Sequence, residues 1–291
     1  MPSFTDIVQL SKVRLTSSVV FSAIAGYFIA AEHFDALLFA YLVIGGFLVV
    51  AASNGFNQIL EKDYDKLMVR TADRPLPTKR MSVAEVFWIS LIMGLLGAFL
   101  LYRINFLSGF FGMLSIFLYV LLYTPLKRIS PISVFVGAFP GAIPFMLGWV
   151  AATNDFDIEP GILFAIQFIW QFPHFWAIAW VCNDDYKNAG FKMLPGKKDK
   201  STAWKNVVYT FFLIPLSVLP VFGITGSLKL SVIAAFLVFV VGIWFLSIAV
   251  TLFKKLTDES SKKLMLASFI YLPAIQLIYI LDKVLREFIV N

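Results

Sequence analysis

Asn57, Glu61 and Asp65 recur every four residues in a segment, Asn57 to Pro77, that gathers carboxylates and guanidinium groups between two long apolar runs. If that stretch is helical, the three side chains share one face, with successive rungs about 6 Å apart along the axis. They make a ladder of hard oxygen donors. Such donors hold Mg²⁺ through one or two carboxylates, leaving the ion's other positions to water or substrate phosphates. Arg70 and Arg74 follow in the same segment and can grip phosphate oxygens bidentately. The predicted chemistry is the binding of a metal-complexed diphosphate at a membrane surface. A solvated helix end, its carboxylates paired with Lys62, Lys66 and Arg70, would read similarly, and exposed pairs of that kind contribute little. Asn57 argues against that alternative, because it lies inside an apolar run where a polar group is costly without a partner. Asp63 points off the ladder's face and reads as a solvated residue.

A second polar segment, Cys182 to Pro195, carries Asp184, Asp185, Lys187 and Lys192. Asp185 is the stronger candidate there for metal or phosphate contact, and the two lysines fit either phosphate neutralisation or membrane topology. Upstream, His174 sits deep in an apolar run within Trp170-Gln171-Phe172-Pro173-His174-Phe175-Trp176. On an unbroken helix, the eleven residues between His174 and Asp185 amount to nearly three turns, so both would face one way about 16 Å apart. An imidazole beneath an acidic mouth suits an amphipathic acceptor, as iron ligand or proton acceptor; the plainer alternative is a hydrogen bond to a neighbouring helix. Another apolar run ends in Tyr119 to Arg128, where Lys127 is either a diphosphate clamp or a topological charge beside an aromatic belt. Gly137, Gly141 and Gly148, with Pro140 and Pro144, predict a small, bendable helix surface, suited to close packing or to an isoprenoid tail or large ring.

Residues of this kind need a membrane-embedded scaffold to position them. The 291-residue chain is 59% hydrophobic and 14% charged, with mean hydropathy +0.83, whereas soluble domains are roughly 45–50% apolar. Apolar runs of about 20 residues predict nine transmembrane helices near 15–31, 36–58, 84–102, 105–123, 132–152, 160–182, 206–225, 230–253 and 264–282. The second is expected to run on through Asp65. The fold class is therefore an all-α multipass membrane protein, its helices arranged around a central cavity open toward the cytoplasmic face. A single domain, 1–291, is expected, with pseudo-repeated four-helix halves at about 15–123 and 132–253 plus a ninth helix, because the two long charged loops follow the second and sixth helices. Halves so related would face their acidic clusters across one cavity, each contributing to one of two ions on a diphosphate.

With the N-terminus inside, Lys12, Arg14, the Lys62–Arg80 loop, Lys127, Arg128, the Lys187–Lys205 loop and Lys254–Lys263 all fall on the cytoplasmic side. Arg103, Lys229, Lys283 and Arg286 fall outside, a strongly lopsided positive-inside pattern. The net charge of +6 reads as topology and contact with anionic head groups of the lipid bilayer rather than nucleic-acid binding. Cys182 is the single cysteine, so no internal disulfide forms. Met1 to Arg14 resembles neither a cleavable signal nor a transit peptide, which points to the plasma membrane of a bacterium.

Asp63-Tyr64-Asp65-Lys66-Leu67-Met68, with Arg70-Thr71 and Arg74-Pro75-Leu76-Pro77, resembles the first aspartate-rich motif of the intramembrane aromatic prenyltransferases, in the form of their haem-farnesylating branch. Tyr123-Thr124-Pro125-Leu126-Lys127-Arg128, Gly141-Ala142-Ile143-Pro144, Trp170 to Phe175, and Asp185 to Gly190 followed by Met193-Leu194-Pro195 are similar to the same branch. The likeness spans most of the chain. Two departures stand out: Gln58 where many relatives carry Asp, and Ala189, rather than a second Asp, four residues after Asp185. The resemblance implies Mg²⁺-dependent transfer of a farnesyl group from farnesyl diphosphate to a vinyl group of haem b, with addition of water. It implies Asn57, Glu61, Asp65 and Asp185 as metal ligands, forming the catalytic set with Lys127. Arg70, Arg74 and Lys127 would bind diphosphate, with Tyr123, Gln171 and His174 on the substrates. Haem b would be a substrate rather than a cofactor, and a haem A-forming enzyme a partner. A sister prenyltransferase acting on a quinone precursor or chlorophyll-type ring would share the acids but have no need of His174. A secondary transporter also keeps intramembrane polar groups, but near the bilayer midplane, whereas these acids gather at one membrane face.

Overall fold

The computed structural model describes residues 3–290; Met1, Pro2 and Asn291, the ends of the expected 1–291 domain, lie outside it. Among the described residues there is no strand, and nine helices are long and apolar enough to cross a membrane. Ahead of the first span lies α1 (Phe4–Ser11), where Ser3 and Asp6 close a reciprocal capping box that satisfies amides the first turn leaves open. Lys12, left-handed at φ 46°, separates α1 from α2 (Val13–Ala30). After Asp35 caps its start, α3 (Ala36–Asp65) runs unbroken for 30 residues. That is about 45 Å at 1.5 Å per residue, well beyond the roughly 30 Å of hydrocarbon, so one rigid element carries Asn57, Glu61 and Asp65 to the end of the bundle.

A second capping box, Ser82 with Glu85, restarts the chain as α4 (Val83–Ile104), whose Trp88, Ile92, Leu95 and Phe99 are exposed as a hydrocarbon-facing stripe. The fourth span combines α5 (Phe106–Phe117), a π-helical turn over Leu118–Tyr123 and α6 (Thr124–Ile129). The most enclosed span is α7 (Ser133–Thr153), packed between α2 and α8 (Ile158–Val181). Its crossing with α2 requires glycine: a Cβ on Gly148 would lie 1.9 Å from the Ala23 carbonyl oxygen, and one on Gly26 2.1 Å from that of Phe145. At that crossing the small surface expected for this helix serves backbone-to-backbone packing.

Helix α8 accommodates Pro173 but ends at Val181; Cys182, at φ −91° and ψ 19°, turns the chain into the short α9 (Asn183–Asn188). The three-turn register expected between His174 and Asp185 therefore does not hold, because the two residues sit on different helices across a bend. The bundle is completed by α10 (Lys200–Val218), α11 (Val232–Lys255) and α12 (Asp258–Val290), with α12 packed on α2, α8 and α11. The seventh and ninth spans reach several residues further than the apolar runs, to Lys200 and to Asp258 and Val290, since charged residues continue a helix once it leaves the hydrocarbon.

Candidate active site

The ladder on α3 is buried: Asn57, Glu61 and Asp65 are at most 5% exposed, and each has a different partner. Asp65 is bridged by Arg74, whose Nη1 donates to both carboxylate oxygens at 2.8 and 2.7 Å. Glu61 Oε1 accepts from Lys127 Nζ at 2.8 Å. Asn57 Nδ2 donates to Thr124 Oγ1 at 3.1 Å, and Asn57 Oδ1 has no partner among the described residues. These residues line a cavity of about 120 Å³ together with Lys12, Arg70, Tyr119, Tyr123 and Tyr186. The π-turn shapes one wall: Thr124 Oγ1 donates back to the Tyr119 carbonyl at 2.8 Å, and Lys127 Nζ lies 4.5 Å above the Tyr123 ring. Wide turns of this type recur at functional sites.

Further cations complete the cavity. Among the described residues Arg70 has no ion pair or hydrogen bond, and it lies 5.9 Å from the centre of the Tyr186 ring. Lys12 reaches in from the left-handed joint between α1 and α2, and burial, reinforced by the Arg74 and Lys127 cations, drives its ammonium well below the usual lysine range. Burial also pushes the Tyr186 phenol up, against the pull of Arg70 and Lys127. The second polar segment folds over the first: Val69 N donates to Asp185 Oδ1 at 3.3 Å, and Lys192 N to the Lys127 carbonyl at 2.6 Å.

Seven of the ten expected site residues thus meet in one cavity: Asn57, Glu61, Asp65, Arg70, Arg74, Tyr123 and Lys127. Asp185 stays on its rim, held by Val69. Gln171 turns to α7, donating to the Ala138 carbonyl at 2.9 Å, and His174 turns to α12, with Nδ1 2.7 Å from Ser268 Oγ. Lys12, Tyr119 and Tyr186 were not expected as lining residues. Gln58 points the other way, its Nε2 donating to the Leu10 carbonyl at 2.9 Å, so its departure from the family motif removes no donor from the cavity. A larger cavity of about 580 Å³ opens among Tyr27, His33, Trp149 and Lys283. Its Lys283 and Arg286 are engaged by Glu287 and Asp282, and it holds none of the ladder.

Among the described residues no three His, Cys, Asp or Glu side chains form a metal-holding group. The donors nevertheless fit a diphosphate-bound Mg²⁺, which takes one or two carboxylates, here Glu61 and Asp65, and fills its remaining positions with phosphate oxygens and water. Asn57 Oδ1 adds a neutral donor on the same face.

Fold and site define a multipass helical membrane protein with a buried cavity of paired acids and cations at one end of its bundle. A family model described as the UbiA prenyltransferase family matches residues 19–272. Over 286 residues, 98% of this chain and 95% of the relative, the sequence is 54% identical to a protein of Christiangramia forsetii named protoheme IX farnesyltransferase. The fold is similar to a solved structure reported for digeranylgeranylglyceryl phosphate synthase, with TM-score 0.80 and 21% identity, covering 96% of this chain and 97% of that one. It is also similar to a UbiA homolog from Archaeoglobus fulgidus bound to GPP and Mg²⁺, with TM-score 0.71 and 14% identity, covering 94% and 99%. The chain belongs to the UbiA prenyltransferase family and is a prenyltransferase.

Proposed function

We propose that this prenyltransferase is a haem O synthase, moving a farnesyl group from farnesyl diphosphate to a vinyl group of haem b, with addition of water, to give haem O and diphosphate. The observation that carries the reading is the end-to-end 54% identity to a protein named for that reaction, in a chain whose buried acids and cations suit a metal-complexed diphosphate. When bound, Mg²⁺ supplies positive charge that neutralises the diphosphate and eases its departure. Asn57, Glu61 and Asp65 would hold it, with Asp185 reaching in from the rim.

In this reading Lys127 and Arg74 exchange carboxylate for phosphate oxygens and, with Arg70, stabilise the charge that grows on the leaving group, a preorganised contribution made where charge changes. Tyr119 and Tyr123 screen the site from water and present ring faces to the allylic cation. The vinyl π-bond captures that cation, water oxygen adds to the porphyrin-stabilised carbon that results, and a proton departs. His174, apart from the diphosphate cavity, binds the haem iron; Tyr123 and Gln171 act in substrate binding, Tyr123 as a wall and Gln171 by fastening α8 to α7 beside the acceptor. Lys and Arg partition supports a cytoplasmic site in a bacterial plasma membrane, within one domain of two pseudo-repeated halves, and a haem A-forming enzyme would take the product. The test is diphosphate release from farnesyl diphosphate, haem b and Mg²⁺. Asp65→Asn is expected to retain fold while losing roughly 10²–10³-fold in rate; an unchanged rate would remove the α3 ladder from the chemistry.

A further inference from the structure

His174 is one of two histidines in the chain and is 7% exposed. Its ring stacks on Trp170 with centroids 4.5 Å apart and planes 18° from parallel, and it meets Phe269 edge-on at 4.8 Å. Both rings of the stack are fastened to one residue of α12. The Trp170 indole N–H donates to the Ser268 carbonyl at 3.0 Å, and His174 Nδ1 lies 2.7 Å from Ser268 Oγ. Ser268 is itself fully buried.

A serine hydroxyl has one proton to give. That of Ser268 is directed at the Met265 carbonyl, 2.6 Å away, so Oγ meets Nδ1 with a lone pair and the hydrogen between them belongs to histidine. A neutral imidazole carries a single N–H, which leaves Nε2 bare. Among the described residues Nε2 makes no hydrogen bond, and the rings of Trp170, Phe175 and Phe269 that pack on the imidazole offer no oxygen to an N–H. The wheel of α8 sets the direction of this group. Gln167 and Gln171 bond α7 carbonyls, while Trp170 and the Ala177 carbonyl bond α12. His174 falls between those sectors, and α2 packs on both α7 and α12, so His174 looks into the interior that the four helices enclose.

We infer that Ser268 is a positioning residue, which fixes His174 as the Nδ1–H tautomer and presents Nε2 as an unprotonated donor for the iron of a porphyrin acceptor. A metal-binding histidine needs this division of labour, one nitrogen bare and the other N–H held by an acceptor. The assignment of iron as the ligand rests on the haem reading above; the tautomer does not.

The experiment uses ¹⁵N-histidine-labelled, detergent-solubilised full chain carrying His33→Gln, so that one imidazole remains, with Ser268→Thr and Ser268→Val as a pair of like shape that differ in the hydroxyl. Nitrogen shifts should report protonated Nδ1 and bare Nε2 in the parent and in Ser268→Thr, and a mixture of tautomers in Ser268→Val. In haem b titrations, His174→Ala should lose the histidine-ligated spectrum, and Ser268→Val should bind at least about tenfold more weakly while Ser268→Thr does not. A parent ring protonated at Nε2, or a Val variant indistinguishable from Thr in shifts, overturns the Ser268 assignment and leaves the haem reading intact. An unaltered haem spectrum in His174→Ala overturns the assignment of Nε2 as the iron donor, with the nitrogen shifts still deciding the tautomer.

Discussion

Glu61 and Lys127 have side chains only 7% and 11% exposed and lie 2.8 Å apart, so removing either strands a largely buried charge. Glu61→Gln or Lys127→Met alone should cost about 3–5 kcal/mol of stability, measured by denaturant unfolding in detergent. The joint substitution should recover most of that loss without recovering turnover, a cycle that separates the pair's structural role from its chemistry. If the double variant is as unstable as the sum of the singles, the two residues are not coupled as described. The ladder was legible in the sequence because a four-residue spacing survives any packing of a helix. Lys12 and Tyr186 were not, since one reaches the cavity through a left-handed joint and the other from a separate short helix. Gln171 shows the converse: its motif neighbours identify the segment, but which neighbour its amide meets is set by the approach of α7 at Gly141.

The α2–α7 crossing is the element-scale feature least tolerant of change. Gly148→Ala places a methyl 1.9 Å from the Ala23 carbonyl oxygen and 2.5 Å from the Tyr27 amide nitrogen, and backbone on both sides leaves nothing to yield. Overpacking costs about 1–3 kcal/mol or more, read as a lowered thermal midpoint, whereas Gly161→Ala, with open space around it, should leave that midpoint unchanged. A pH-dependent element is α1. The Ser3 hydroxyl and, more weakly, Arg80 hold the Asp6 carboxyl below its ordinary value of 3.8. A carboxylate lowered on folding stabilises α1 above that value, and the contribution is lost as pH falls through the lower folded one. Hydrogen exchange corrected for intrinsic rates should show α1 loosening on acidification below about pH 4; Asp6→Asn should make its protection insensitive to pH across that range. All nine spans among the described residues were visible as apolar runs, and so was the run of α3 through Asp65, but the ends of α10 and α12 were not, because both continue as helix into charged sequence. The bend at Cys182 left no signal, which is why a register computed from His174 to Asp185 failed.

Across the whole molecule, the acids and their cations lie at one end of the bundle rather than at mid-membrane, and this separates the protein from a carrier. A transport site would be expected within broken helices near the midplane, whereas α3 carries its ladder to one end of the bundle without a break. The fold holds two separate stations, the cavity proposed for diphosphate under the polar loops and an imidazole facing the interior between α7 and α12. A prenyl donor and a large planar acceptor meeting between them is the central claim. It is tested most directly by mass-resolved turnover of the purified chain with Mg²⁺, farnesyl diphosphate and two acceptors offered in parallel, haem b and an aromatic quinone precursor. A haem product heavier by farnesyl plus water, with the quinone precursor untouched, is the predicted result; a prenylated quinone precursor and unmodified haem b would contradict it.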